Sequence, residues 1–304
     1  MKTLKLLAIK SAFYTPFLLT ANRFLPAAGV PVDLIFRTNE NVSRMLREGD
    51  LDFAQLAPSA ALVDRSAGIL DNAIHIASIN ARDGFLLIGR EPEPDFQWQD
   101  LAGKTVITAN FATQPEACLR YALHRQKVPI DEVNLVTGLS GMAAAAQAFA
   151  DGTGDYVQLQ DPMARQLIAD GHGHLVGLFG DAIGPIAFSS IATGQHMIAE
   201  NADVVLQFMQ AYSQACRWLA QADAASVCAA IAHWFTDTPP AVLQDAIAGY
   251  QRLGTWSERT AIGRAEFEIT CDMMTLSPSL TGVGERFPYD LCCNDQFAAT
   301  VDHA

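Results

Sequence analysis

Through the first half of the chain, short apolar runs bounded by turn residues alternate with stretches whose apolar positions recur every three or four residues. That alternation of strand-like and helical periods predicts βαβ units around a mostly parallel sheet. Strands are expected at Leu4–Ile9, Val32–Phe36, Phe53–Leu56, Ile74–Ile79 and Phe85–Ile88, with helices such as Pro16–Leu25 and Asn41–Glu48 between them. A polar, proline-marked stretch, Glu91-Pro92-Glu93-Pro94-Asp95, then reads as a boundary. The pattern restarts at LAGKTVITA with strand Thr105–Thr108, helix Pro115–His124, strand Asn134–Val136, helix Met142–Ala150 and strand Tyr156–Leu159. From Asn201 onward the chain is mainly helical. Val205, Phe208, Met209, Tyr212, Cys216 and Leu219 form one apolar stripe with Asn201 or Asp203 as N-cap, and Thr238 before Pro239-Pro240 is expected to cap another helix.

One stretch is written twice. Gly49 to Gly68 reads GDLDFAQLAPSAALVDRSAG, and Gly152 to Gly171, 103 positions on, reads GTGDYVQLQDPMARQLIADG. Each runs from glycine through aspartate and an aromatic into Gln-Leu, then past a proline into an alanine-bearing amphipathic segment. The copies slip by one residue after the Gln-Leu. Both fall on a helix–glycine–strand–loop–helix step, so the chain reads as two related α/β units.

Composition narrows the function. At 304 residues the prior is about two domains. Half of the residues are hydrophobic and 17% are charged, which supplies a packed interior and argues against disorder. A net charge of −13 disfavours a phosphate backbone as partner. The opening MKTLKLLAIKSAFYTPFLLTA places Lys10, Tyr14 and Pro16 within the apolar run, so it reads as a first strand rather than a leader, and no segment is long and apolar enough to span a membrane. The six cysteines, Cys118, Cys216, Cys228, Cys271, Cys292 and Cys293, show no CxxC or zinc-ligand spacing, although the vicinal Cys292-Cys293 pair is unusual.

Familiar catalytic patterns are absent. Gly152-Thr153-Gly154 precedes a strand where a dinucleotide fingerprint would follow one, Gly138-Leu139-Ser140-Gly141 lacks the nucleophile-elbow spacing, and His172-Gly173-His174 reads as a solvated turn. What stands out is a set of polar loops where strands give way to helices. In parallel sheets ligands bind outside the carboxyl ends of strands, where helix N–H groups point outward. Together with the doubled Gln-Leu step, this rule predicts a cleft lined by Phe13, Tyr14, Thr38, Gln55, Pro58 and Ser59 on one side. Asn110, Phe111, Thr113, Ser140, Gln158 and Asp161 are expected on the other. Helix capping is the plain alternative for Ser59, Asn39 and Thr113. Arg37 is the only basic residue in these loops, so the ligand is expected to be neutral or singly charged, with a ring stacked by Phe13, Tyr14 or Phe111.

Taken in order, KSAFYTP, GDLDFAQLAPSAAL, LAGKTVITANFATQPEACL, GLSGMAAAAQAFADGTGDYVQLQDP, IATGQHMIAENADVVLQFMQAYSQACRWL and PYDLCCNDQFAA resemble one family. It comprises the type II periplasmic substrate-binding proteins of ABC importers for sulfonates, taurine, nitrate and thiamine-pyrimidine precursors. The resemblance implies two doubly wound α/β lobes joined by a double-crossing hinge, with residues 1–84 and 190–304 in lobe one and 85–189 in lobe two. The crossings are then expected near Ala81–Phe85 and Ser189–Thr193. It further implies a monomeric, non-enzymatic protein that closes on a small molecule and serves a membrane importer subunit, without nucleic acid or membrane insertion. It would be periplasmic if a leader has been removed and cytoplasmic if the chain is full length. The alternatives are an enzyme on the same scaffold or a cytosolic ligand sensor. The enzyme branch carries a pyridoxal-phosphate lysine and a cysteine-rich iron motif. Here Leu56 stands for that lysine, Ala60 for its partner histidine and GPIAFSSI for the cysteine run, so neither metal nor covalently bound cofactor is expected.

Overall fold

The computed structural model describes residues 2–38, 40–109, 112–277 and 287–303. Among the described residues, ten strands form two five-stranded sheets. They are β1 Leu4–Ala8, β2 Val32–Phe36, β3 Phe53–Leu56, β4 Ile74–Arg82, β5 Phe85–Gly89, β6 Thr105–Ile107, β7 Asn134–Val136, β8 Tyr156–Gln160, β9 His174–Leu178 and β10 Pro185–Thr193. The first sheet has the order β2-β1-β3-β10-β4 and the second β7-β6-β8-β5-β9. In each, the first three strands are parallel and the fourth is antiparallel to its neighbours. The two lobes therefore repeat one topology, as the doubled stretch implied.

Fourteen α-helices accompany these strands among the described residues. α1 Thr15–Leu19, α2 Leu25–Ala27, α3 Val42–Glu48 and α4 Ser59–Ser66 follow strands of the first sheet. α5 Thr113–Arg125, α6 Gly141–Ala150, α7 Met163–Ala169 and α8 Phe179–Ile183 belong to the second. The C-terminal part supplies α9 Gln195–Glu200, α10 Ala202–Gln221, α11 Ala224–Ile231, α12 Pro240–Leu253, α13 Arg264–Thr275 and α14 Gln296–Asp302. Between α1 and α2 the chain widens into a π-turn over Thr20–Phe24. Pro26 has no N–H to return to the preceding turn, and the Thr20 hydroxyl donates back to the Pro16 carbonyl at 2.8 Å, so one continuous helix is not available.

Every residue of the α10 stripe is buried, and Phe208 stacks on Phe53 of β3 at 4.0 Å between centroids. Asn201 sits at the N-cap of α10 without a side-chain bond, and Pro239, not Thr238, occupies the N-cap of α12. The Thr238 amide is instead returned to the Phe235 carbonyl, in a turn that ends before the helix begins. His174 also departs from the expected loop, because it opens β9 and pairs with Gly89. The Cys292-Cys293 pair lies along the free edge of β4: the His75 amide donates to the Cys292 carbonyl, Cys293 bridges His75, and the Asn294 amide donates to the His75 carbonyl. Backbone pairing thus gives this segment a structural role.

The chain leaves the first sheet through Asp83-Gly84, between β4 and β5, and returns through Gly184, between α8 and β10. The whole of β10 lies in the first sheet, with Pro185 already opposite Arg82. The return therefore begins ahead of the segment Ser189–Thr193.

Candidate functional site

The doubled stretch builds a matched pair of clamps. Backbone pairing of β1 with β3 covers Leu6↔Phe53 and Leu7↔Ala54, and that of β6 with β8 covers Val106↔Tyr156 and Ile107↔Val157. Side chains lengthen each short ladder at both ends. Asp52 Oδ2 accepts the Lys5 amide at 2.9 Å and Gln55 Oε1 the Ile9 amide at 3.4 Å. In the second lobe Asp155 Oδ2 accepts the Thr105 amide at 2.7 Å and Gln158 Oε1 the Ala109 amide at 3.4 Å. Gly49 and Gly152, at φ 79° and 98°, supply the left-handed turn that ends each preceding helix.

Gln55 and Gln158 are thus engaged in holding strand ends, Gln158 also donating to the Pro115 carbonyl at 3.0 Å. Phe13 is fully buried, with its ring 5.0 to 5.3 Å from those of Tyr14, Phe188 and Tyr250. Its carbonyl accepts from Asn80 Nδ2 at 2.8 Å and Trp256 Nε1 at 2.9 Å. Tyr14 is buried beside it, and desolvation pushes its hydroxyl well above the usual phenol range. Pro58 is buried before α4 and Ser59 is buried as its first residue, whereas Thr113 opens α5 half-buried. Thr38 is exposed and donates its hydroxyl to Glu40, and Ser140 is exposed ahead of α6. Asn110, Phe111 and the candidate cap Asn39 lie outside the described residues.

Several of these residues meet across the two lobes. Ser59 Oγ donates to Gln114 Oε1 at 2.6 Å, and Gln114 Nε2 donates to the Phe188 carbonyl of β10 at 2.9 Å. Tyr250 of α12 donates its hydroxyl to the Asp161 carbonyl at 3.2 Å. Asp161 is 2% exposed, and both its oxygens are taken by Arg165, through the backbone amide at 3.2 Å and Nε at 2.9 Å. Burial pushes the Asp161 carboxyl up while the Arg165 guanidinium opposes the shift.

Among the described residues, two buried polar atoms at this junction lack a nitrogen or oxygen hydrogen-bond partner, Nε2 of Gln160 and Oδ2 of Asp83, although the Cys118 thiol lies against the Asp83 carboxyl. Gln160 ends β8 and lies opposite Phe85, whose amide donates to the other Asp83 oxygen at 2.6 Å. Burial pushes the Asp83 carboxyl up to about 6, with the Cys118 thiol alongside. A buried polar group normally finds a partner, so the Gln160 amide nitrogen is a candidate contact for a bound group. Gln160 and Gln114 stood in the strand-end loops, but partner counting requires three dimensions. The one sequence signal was that Gln160-Asp161 replaces the single Ala57 where the two copies slip.

Among the described residues no three or more His, Cys, Asp or Glu side chains are grouped to hold a metal, and no helix is long and apolar enough to cross a membrane. The family model described as NMT1/THI5 like matches residues 14–225. A relative from Bacillus subtilis (strain 168), provisionally named binding protein YtlA, is 28% identical over 295 residues, covering 96% of this chain and 87% of its own. The ligand-binding component of an ABC-type import system from Staphylococcus aureus, solved with zinc bound, superposes with a TM-score of 0.73 at 14% identity, covering 100% of both chains. The periplasmic aliphatic sulphonate binding protein SsuA from Escherichia coli gives 0.68 at 15% identity, over 91% of this chain and 85% of its own. At these identities the two structures speak for the fold.

Proposed function

We propose, from the premise that this chain belongs to the NMT1/THI5-like family, that it is a ligand-capturing binding protein whose two lobes close on one small molecule for delivery to an ABC importer. The observation that carries this reading is the buried, unpartnered amide of Gln160 at the carboxyl end of β8. The lobes, 1–84 with the C-terminal part and the segment between, meet there through Ser59, Gln114, Asp161 and Tyr250. A ligand acceptor bonded to Gln160 in the closed state alone would favour closure by its differential affinity. The likeness to the import component from Staphylococcus aureus and the name of the Bacillus subtilis relative support the same role. The ligand is a neutral or singly charged molecule, an organosulfonate or a pyrimidine-type precursor, met by neutral amides; the Phe13 ring, enclosed by Tyr14, Phe188 and Tyr250, packs behind the crevice and does not stack on the ligand. Thr38, Pro58, Thr113 and Ser140 complete the rims.

The protein acts as a monomer outside the cytoplasmic membrane and without catalysis. Pyridoxal phosphate does not fit the residues present: Leu56 offers no amine, and the Ser189 and Ser190 hydroxyls of β10 are donated to Asn80 Oδ1 and the Leu56 carbonyl. The test is thermal-shift screening with native mass spectrometry. Stabilisation grows with ligand concentration, to about 2.7 kcal/mol at a hundredfold excess over Kd. Organosulfonates or pyrimidines are expected to stabilise, and Gln160→Met to weaken binding about tenfold without destabilising the free protein. Large shifts with sulfate or phosphate alone, or unchanged binding by Gln160→Met, would refute this assignment.

A further inference from the structure

On the far side of the rim residue Asp161, which lines it, a cavity of about 260 Å³ opens where α12 of lobe one meets β9 and α7 of lobe two. Its walls include Leu86, Leu178, Leu253 and Tyr250, and two arginines, Arg165 and Arg252, line it from opposite lobes. Arg165 is built into place. Its Nε holds the buried Asp161 carboxylate, which leaves the two Nη groups without a carboxylate or carbonyl partner among the described residues. The helix α12 makes room for them with Gly249, where an added Cβ would lie 2.5 Å from Arg165 Nη2. Arg252, in the last turn of α12, is exposed and has no hydrogen-bond or ion-pair partner among the described residues.

The acidic groups leave those donors available. Asp161 is consumed by Arg165, and the Asp181 side chain is 66% exposed and lies 4.0 Å from Arg82. Guanidinium donors beside leucine walls match an anionic head on a short apolar tail. Asp181 at the lining disfavours a second negative charge on the occupant.

We propose that this cavity is a second ligand site, separate from the crevice at Gln160, which takes an organic monoanion such as a short-chain carboxylate or sulfonate. Its occupant bridges Arg252 of lobe one and Arg165 of lobe two and so adds to the closed state's stability, whatever the crevice binds. The full chain is titrated calorimetrically with hexanoate and butanoate, carboxylates rather than the sulfonates expected in the crevice, at constant ionic strength, and with hexanamide as the neutral counterpart. Both anions are expected to bind saturably and hexanamide not at all. Arg252→Gln, which removes an exposed charge, should weaken the anions about tenfold or more. Gly249→Ala, which crowds the Arg165 fork without changing charge, should weaken them as well, while Gln160→Met leaves them unchanged. The proposal is overturned if neither anion binds, if hexanamide binds equally well, if binding survives Arg252→Gln, or if Gln160→Met abolishes it. The last result would move the anion into the crevice and leave the crevice reading intact.

Discussion

Gly84, in the first crossing between the lobes, has no room for a side chain. A Cβ built there would stand 2.2, 2.6 and 2.7 Å from Cε2, Cδ2 and Cζ of Phe13. Carbon atoms rest at about 3.5–4.0 Å, so Gly84→Ala requires the ring to retreat by more than about 1 Å. The ring has nowhere to go: Tyr14, Phe188 and Tyr250 surround it, and Asn80 and Trp256 hold its backbone carbonyl. Overpacking of this kind costs about 1–3 kcal/mol, and a ring pinned on every side belongs at the upper end. At about 2 °C per kcal/mol for a chain of this size, Gly84→Ala should lower Tm by roughly 4–6 °C. The control is Phe13→Leu, which frees the space: the double variant should be less destabilised than the sum of the singles by about 1 kcal/mol or more. Denaturant titrations of all four proteins decide the matter. A Gly84→Ala protein within about 0.5 kcal/mol of the parent, or strictly additive singles, would refute the packing argument.

Asp83 makes stability fall as pH rises. Its carboxyl titrates near 6 in the folded chain and near the ordinary carboxylate value when unfolded, so between about pH 4 and 6 the folded state binds the extra proton. About two pH units at ~1.4 kcal/mol each amount to roughly 3 kcal/mol, present below pH 4 and lost above 6. Comparing unfolding midpoints of the parent and Asp83→Asn across that window should show the parent with the steeper decline. Among the clamps, Gln158→Ala should cost more than Gln55→Ala, by about 1 kcal/mol, because Gln158 holds the Ala109 amide and the Pro115 carbonyl while Gln55 holds the Ile9 amide. Thermal unfolding ranks the two. All six cysteines are buried, with the Cys292 thiol pushed up to about 11 by desolvation, so Ellman's reagent should find no fast-reacting thiol until the protein unfolds.

Much of the first sheet was readable in sequence because its strands are short apolar runs closed by glycine or proline, and β2 and β3 match the expected bounds. Membership of a sheet was less visible. GPIAFSSI is apolar enough to pair in either sheet, and the change is marked only by Gly184 at φ 88°, a turn that sequence alone does not distinguish from other glycines. His174 was read by its glycine neighbours, but Gly173 sits tight against β5, where a Cβ would lie 2.7 Å from Ile88 Cγ2, and the strand starts immediately after it.

The doubled Gln-Leu step drew attention to Gln55 and Gln158 because repetition of a polar pair in an apolar run invites a functional reading. Their equivalence has a mechanical origin instead. Two short parallel ladders of the same topology leave the same amides to be satisfied, at Lys5 and Ile9 in one lobe and Thr105 and Ala109 in the other, and the same Asp and Gln answer both. Residues needed for the fold therefore repeat. The binding role proposed for the crevice falls where repetition fails: one lobe passes from Leu56 through Ala57 to Pro58, while the other passes from Leu159 through Gln160 and Asp161 to Pro162. The pair that stands there, Gln160 and Asp161, supplies the unpartnered amide and the carboxylate that fixes Arg165. Deleting Gln160 to restore the register of the first lobe is expected to keep the clamp bonds of Asp155 and Gln158, and hence the fold, while ligand stabilisation in the thermal-shift assay is lost. If the shortened protein folds and still binds, the asymmetry at the strand end is incidental and the crevice must draw its selectivity from elsewhere on the rims.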